Sequence, residues 1–235
     1  MLTLGSNEVH IWSVSLNPAE AVLEARHCLL SEDELARASR FRFPEHRRRY
    51  LAARGALRHI LAAYLGTQGR DVSFVYGAAG KPNLPAELGK GLQFNLSHSG
   101  ELAVVALAAR RTVGVDVELV RPIDDVEGMI GRFFSKGERT DLFALPEHER
   151  VEAFFRCWTR KEAFIKATGD GLGLPLDQFR VSLRTGDPVR LLWAGDGGSS
   201  IARWRLENIH VAPGFVGAVA VEAGDWILVE RGWTA

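Results

Sequence analysis

An α+β protein made of two similar halves is what this sequence predicts, and three observations carry that expectation. Short segments alternate apolar and polar residues as half-buried strands do, and two long segments combine helix formers with an apolar stripe. The order of these segments also recurs, each half passing from a helical region to short strands. No residue-level repeat is visible. The halves are expected to span 1–112 and 113–235, joined near Arg110 to Val113.

Taken in order, "EVHIWSVSL" alternates as a strand, and "NPAEAVLEARHCLLSEDELARASRF" is rich in helix formers, with Asn17 and Ser31 as expected N-caps. "PEHRRRYLAARGALRHILAAYLG" opens at a proline and closes at Gly66, so it reads as one helix whose stripe is Leu57, Ile60, Leu61 and Tyr64. "DVSFVYGAAGKPNL" gives a strand and a Gly/Pro turn, and "LQFNLSHSGELAVVALAAR" gives two strands around Ser99-Gly100. After the strand "GVDVELV" comes a loop at "RPIDD". The second long helix is "PEHERVEAFFRCWTRKEAFIKATG", and "FRVSL", "VRLLWA", "ARWRLEN" and "GFVGAVAVE" read as strands. "AGDGGSS" is expected to be a turn between strands rather than a phosphate loop, since no helix or Lys-Ser/Thr follows it.

At 235 residues, 46% hydrophobic and 25% charged, the chain has the composition of an ordinary globular protein, and no apolar run approaches the roughly 20 residues of a membrane helix. The opening "MLTLGSNEVHIW" lacks the pattern of a secretory signal. Cys28 and Cys157 are far apart and without CxxC spacing, which favours a reducing compartment, and the cytoplasm is the expected location. Net charge is zero, but residues 1–112 carry 14 Lys/Arg against 10 Asp/Glu and residues 113–235 carry 15 against 19. A basic and an acidic half could serve an anion and a metal respectively; scattered surface charge is the plainer alternative. The neutral total and the lack of an aromatic-basic motif weigh against a nucleic-acid-binding module built on Arg47 to Arg49.

The strand "GVDVE" sends Asp116 and Glu118 to one face, about 7 Å apart, where they repel unless a cation, a proton or basic side chains intervene. In "WTRKEAFIKATGDGL", Trp158, Glu162 and Lys166 recur every four residues and share a helical face. Three carboxylates brought together would make an oxygen-rich site suited to Mg²⁺, and no imidazole or thiolate cluster points to zinc or iron. Two bland alternatives stand beside this: Glu162 and Lys166 as an ordinary surface pair, and Asp116 and Glu118 as the polar face of an edge strand. Ser97 and His98 are strand neighbours facing opposite ways, which excludes a Ser-to-His relay and leaves hydrogen bonding to an anionic ligand or turn chemistry. Lys81, in a Gly-Pro turn, suits phosphate contact or plain solvation, as do Arg47, Arg48, Arg49, Arg54 and Arg58 on one helix. A Mg²⁺-dependent phosphohydrolase would use the same carboxylates with water as nucleophile.

Taken together, "GKPNL", "FNLSHSG", "GVDVELVRP", "FFSKGE" and "WTRKEAFIKATGDGL" resemble the 4′-phosphopantetheinyl transferases, and specifically the surfactin-activating type with two fused halves, over roughly residues 40 to 175. The resemblance implies two α/β subdomains in a pseudo-twofold arrangement and transfer of the phosphopantetheine arm of coenzyme A to a serine of an acyl or peptidyl carrier protein, with release of adenosine 3′,5′-bisphosphate. It implies Mg²⁺ held by Asp116, Glu118 and Glu162, with Glu162, Lys166 and Asp116 catalytic. It also implies coenzyme A contacts from Arg49, Lys81, Ser97, His98, Lys161 and Lys166. Arg49 is the match for the nucleotide-end arginine within the run Arg47 to Arg49, and Glu138 matches without an evident role. A monomer is expected, since two fused halves can supply what a smaller relative builds from two subunits.

Overall fold

The computed structural model describes residues 1–77, 80–169, 173–195 and 199–233. It is an α+β protein, as the sequence predicts, and divides into two compact units: Met1–Arg110 with Trp226–Ala235, and Arg111–Asp225. The expected division placed residues 226 onward in the second half; in the structure that segment returns to the first unit. Among the described residues no helix is long and apolar enough to cross a membrane.

The first unit runs β1 (Glu8–Ser15), α1 (Glu20–His27), α2 (Glu32–Ala38), α3 (Pro44–Leu65), the short β2 (Val75–Tyr76) and β3 (Pro82–Asn83), α4 (Ala86–Gly89), β4 (Leu92–Ser99) and β5 (Leu102–Ala109). The second runs β6 (Val113–Leu119), α5 (Val126–Phe133), α6 (Lys136–Phe143), α7 (Glu147–Thr168), β7 (Phe179–Val181), β8 (Leu191–Ala194), α8 (Ser199–Arg203), β9 (Trp204–Asn208) and β10 (Phe215–Glu222). The last strand, β11 (Ile227–Trp233), pairs in parallel with β1. The two larger sheets have the orders β11-β1-β5-β4 and β6-β10-β9, and β2-β3 and β7-β8 form two-stranded ribbons. Apart from β11, the units therefore match element for element: strand, three helices of which the third is the longest, a two-stranded ribbon, a short helix, then two antiparallel strands. The repeat lies in topology, which explains why no residue pattern betrays it.

Each long helix has 22 residues and ends at a glycine in the left-handed region, Gly66 with φ 67° and Gly169 with φ 81°. Leu57, Ile60 and Leu61 of the predicted stripe are fully buried, and Tyr64 is half-buried. Asn17 caps no helix: α1 starts three residues later, after Ala19, because Pro18 fits the turn before a helix better than its interior. Ser31 does cap α2, in a reciprocal capping box with Glu34. Within "AGDGGSS", residues 196–198 lie outside the described residues, and the helix α8 follows them where none was expected. Residues 170–172, the end of the "KATGDGL" motif, likewise lie outside them.

Arg54 and Arg58 do not belong to a solvated or ligand-binding face. Both turn inward onto the buried carboxylate of Glu34, with Nε–O distances of 2.5 and 2.6 Å, and both guanidinium groups stack on Phe74. Arg58 also donates to the carbonyls of Gly69 and Val72. A carboxylate serving two buried cations cannot be removed cheaply. Glu34→Ala is expected to cost about 3–5 kcal/mol in urea denaturation, because it leaves two guanidinium groups buried without their counter-charge; a loss under about 1 kcal/mol would show that the arginines find other compensation.

Candidate active site

The site starts from a contact that leaves no room for a side chain. A Cβ built on Gly114 of β6 would lie 2.2 Å from the carbonyl oxygen of Ala163 and 2.3 Å from the amide nitrogen of Ala167, both in the backbone of α7. Alternation puts Asp116 and Glu118 on this same face of β6, while Val115 and Val117 are buried on the other. Across the ladder, Ala220 and Ala218 of β10 stand opposite Gly114 and Asp116, so small residues line the bed on which α7 lies. The helix therefore brings Glu162 and Lys166 against the two strand carboxylates.

Asp116 is buried, at 4% exposure, and its Oδ1 accepts a hydrogen bond from Lys166 Nζ at 2.6 Å. Glu118 is more open and lies 3.6 Å from Arg121. Glu162 is half-buried one helical turn before Lys166. Burial chiefly, and then the neighbouring Asp116 and Glu118, raise the Glu162 carboxyl from its ordinary pKa, against a lowering pull from Lys166. Four of the predicted side chains of this unit thus act on one another across one strand–helix face. Among the described residues no three His, Cys, Asp or Glu side chains are gathered closely enough to hold a metal ion. The donor set itself is all oxygen and its members repel, which is the chemistry that suits a hard divalent cation such as Mg²⁺.

Lys161 is not in this group. Its ammonium is wholly buried, bonded to both carboxylate oxygens of Glu138 at 2.7 Å and to the Phe179 carbonyl at 2.7 Å. The expectation that it touches coenzyme A is therefore corrected: the residue beside Glu162 on a helix points about 100° away, here into the core. Sequence reasoning also missed the seating at Gly114, for which the only visible signal was a glycine inside a strand pattern.

In the first unit, Ser97 and His98 take opposite faces of β4, Ser97 buried and His98 exposed. Lys81 is half-buried in the turn between β2 and β3, its carbonyl accepting from the Gly77 amide and the Asn83 side chain. Arg49 extends from the first turns of α3 to 3.8 Å from Glu101, whereas Arg48 is held by Glu20 and the Pro18 carbonyl and Arg47 is exposed.

Residues 14–110 match the family described as 4′-phosphopantetheinyl transferase, N-terminal, and residues 112–220 match the 4′-phosphopantetheinyl transferase superfamily. The chain is 43% identical over 226 residues to the 4′-phosphopantetheinyl transferase HetI of Nostoc sp., covering 96% of itself and 92% of that protein. It is 32% identical over 197 residues to the 4′-phosphopantetheinyl transferase Sfp of Bacillus subtilis, covering 84% of each. A solved coenzyme A complex of ACPS from Chronobacterium ammoniagenes superposes on 48% of the chain and 96% of that one, with 20% identity and a TM-score of 0.38.

Gly114→Ala is expected to destabilise the protein by at least about 1–3 kcal/mol in urea denaturation, since the new methyl meets backbone that cannot rotate away. Wild-type stability would show that α7 can lift off β6 freely. Glu162→Gln should act in the opposite direction. A carboxyl with a raised folded pKa costs stability in full above that pKa and nothing below its unfolded value, near 4.5. In metal-free buffer the variant is therefore expected to be more stable than wild type at pH 7, with the gain shrinking as the pH falls through the folded pKa toward 4.5. Equal melting temperatures across that range would contradict the crowding of carboxylates.

Proposed function

This chain belongs to the 4′-phosphopantetheinyl transferase family, and from that premise we infer that Asp116, Glu118, Glu162 and Lys166 are its reacting centre. The enzyme moves the 4′-phosphopantetheine arm of coenzyme A to a serine of an acyl or peptidyl carrier protein, converting apo to holo form and releasing adenosine 3′,5′-bisphosphate. The observation that carries the assignment is the meeting of these four side chains on one face of β6 and α7.

The serine hydroxyl attacks the β-phosphorus, the bond to the bisphosphate breaks, and the hydroxyl proton must leave. Glu162 accepts that proton, directly or through one water; without a metal, burial chiefly and then the neighbouring carboxylates raise its pKa. Lys166 supplies fixed positive charge where negative charge grows on the departing oxygen, and its contact with Asp116 holds the ammonium in place. Asp116, Glu118 and Glu162 are the residues that would hold Mg²⁺, drawing closer than they stand without it, and the ion would then neutralise pyrophosphate charge. Arg49, Lys81, Ser97 and His98 are assigned to coenzyme A in this reading, as cationic or hydrogen-bonding groups suited to its phosphates. Arg54, Arg58 and Lys161 are not, since their charges are used internally.

Within the family, the surfactin-activating type is the reading favoured here, supported by the identity to Sfp and by the two matched segments in one chain. One chain carrying both segments also favours action as a monomer. The free thiols of Cys28 and Cys157 favour a reducing cytoplasm.

Incubated with coenzyme A and Mg²⁺, an apo carrier protein should gain about 340 Da, the mass of the phosphopantetheinyl group, on its serine. Glu162→Gln should leave the acceptor unmodified. Release of phosphate with no change in the acceptor would instead assign a phosphohydrolase.

A further inference from the structure

The buried Glu138–Lys161 pair joins several elements of the second unit. Glu138 caps α6 reciprocally with Ser135, its Oε2 accepting from the Ser135 amide at 2.7 Å and hydroxyl at 2.9 Å. Its Oε1 accepts from the Val181 amide at 2.8 Å. Lys161 donates to both oxygens and to the Phe179 carbonyl, so all three of its protons are used, and its ammonium lies 4.2 Å from the centre of the Phe179 ring. Both side chains are 0% exposed. One saturated node therefore ties the start of α6, the middle of α7 and strand β7 together.

The first unit holds its long helix in the same way. Ser31 and Glu34 form the capping box of the second helix, and Arg58 occupies in α3 the position that Lys161 occupies in α7, the fifteenth of 22 residues. The node is thus a feature of the repeat. What differs is the next residue. In α3 it is His59, which makes an edge contact with Trp233; in α7 it is Glu162.

We propose that the Glu138–Lys161 pair is the positioning device of the reaction: it fixes the rotation of α7 about its axis and so aims Glu162 and Lys166 at Asp116 and Glu118. Gly114 sets how near α7 comes to β6 where it meets Ala163, Lys166 and Ala167, but this is contact with backbone atoms and includes no side-chain bond that resists rotation of the helix. Azimuth needs a second, directional constraint. A turn of about 20° would sweep a side-chain end some 2 Å along the helix surface. Displacements of about 1 Å at a reacting group can cost about a hundredfold in rate.

The proposal rests on the transferase reading, and the test separates the two. The double variant Glu138→Gln/Lys161→Met keeps the volume and a capping oxygen while removing both charges, which buried pairs commonly tolerate. It should remain folded by circular dichroism, lose about tenfold or more in kcat, and keep its KM for coenzyme A within about twofold. Lys161→Arg, which keeps the charge and changes the reach, should lose kcat with the same unchanged KM, and it decides the matter if the double variant does not fold. Wild-type kcat in either folded variant overturns the proposal. So does a raised KM with kcat intact, which would make Lys161 a coenzyme A contact. If wild type itself transfers nothing, the transferase reading fails instead; if Glu162→Gln transfers normally, the role of Glu162 fails.

Discussion

The second unit depends on a helix lying directly on a strand. At Gly114 the backbones of α7 and β6 touch, and the alanines of β10 beside it keep the bed shallow. A helix spaced from the sheet by ordinary side chains would hold Glu162 and Lys166 farther from the carboxylates of the strand. Removing the spacer brings the charges of two elements into one field. The close seating accompanies the Lys166–Asp116 contact and the raised Glu162 pKa, which comes chiefly from burial and then from Asp116 and Glu118.

Close seating fixes distance, and buried charge fixes direction. Hydrophobic contacts tolerate sliding, because many orientations bury similar area; an ammonium with three named acceptors does not. The protein uses this device twice, with Glu34 under Arg54 and Arg58 in one unit and Glu138 under Lys161 in the other. Such pairs add little net stability over apolar packing, and their worth is in excluding neighbouring arrangements.

The strands β1, β4, β5, β6 and β10 and both 22-residue helices were legible because each declares itself locally, by alternation, by an apolar run beside a turn, or by a proline start and glycine stop. β11 was not: most of its residues are partly exposed and it lacks alternation, so its place is set by pairing with β1, more than 200 residues earlier. The helices α5 and α6 are too short for periodicity to show. That Asp116 and Glu118 share a face of β6, and Glu162 and Lys166 a face of α7, could be read because spacing assigns side chains to faces. Which of two adjacent charged residues, Lys161 or Glu162, turns to the core could not, because that is decided by Glu138, distant in sequence. Arg54 and Arg58 misled for the same reason: a run of arginines looks solvated until the buried acid that claims two of them is in view.

These constraints set fold stability against chemistry within one unit. Glu162 is held among carboxylates and partly out of water, an arrangement that disfavours its charge in the folded state. Left to packing alone, α7 would rotate or lift to relieve that repulsion. Gly114 and the Glu138–Lys161 node leave it neither freedom, so the unfavourable environment persists and appears as a raised basicity at one oxygen pair rather than as a changed structure. In the proposed reaction a carboxylate in such surroundings would serve as a base for the same reason that it is costly as a structural element, and the two buried constraints are what would keep it there.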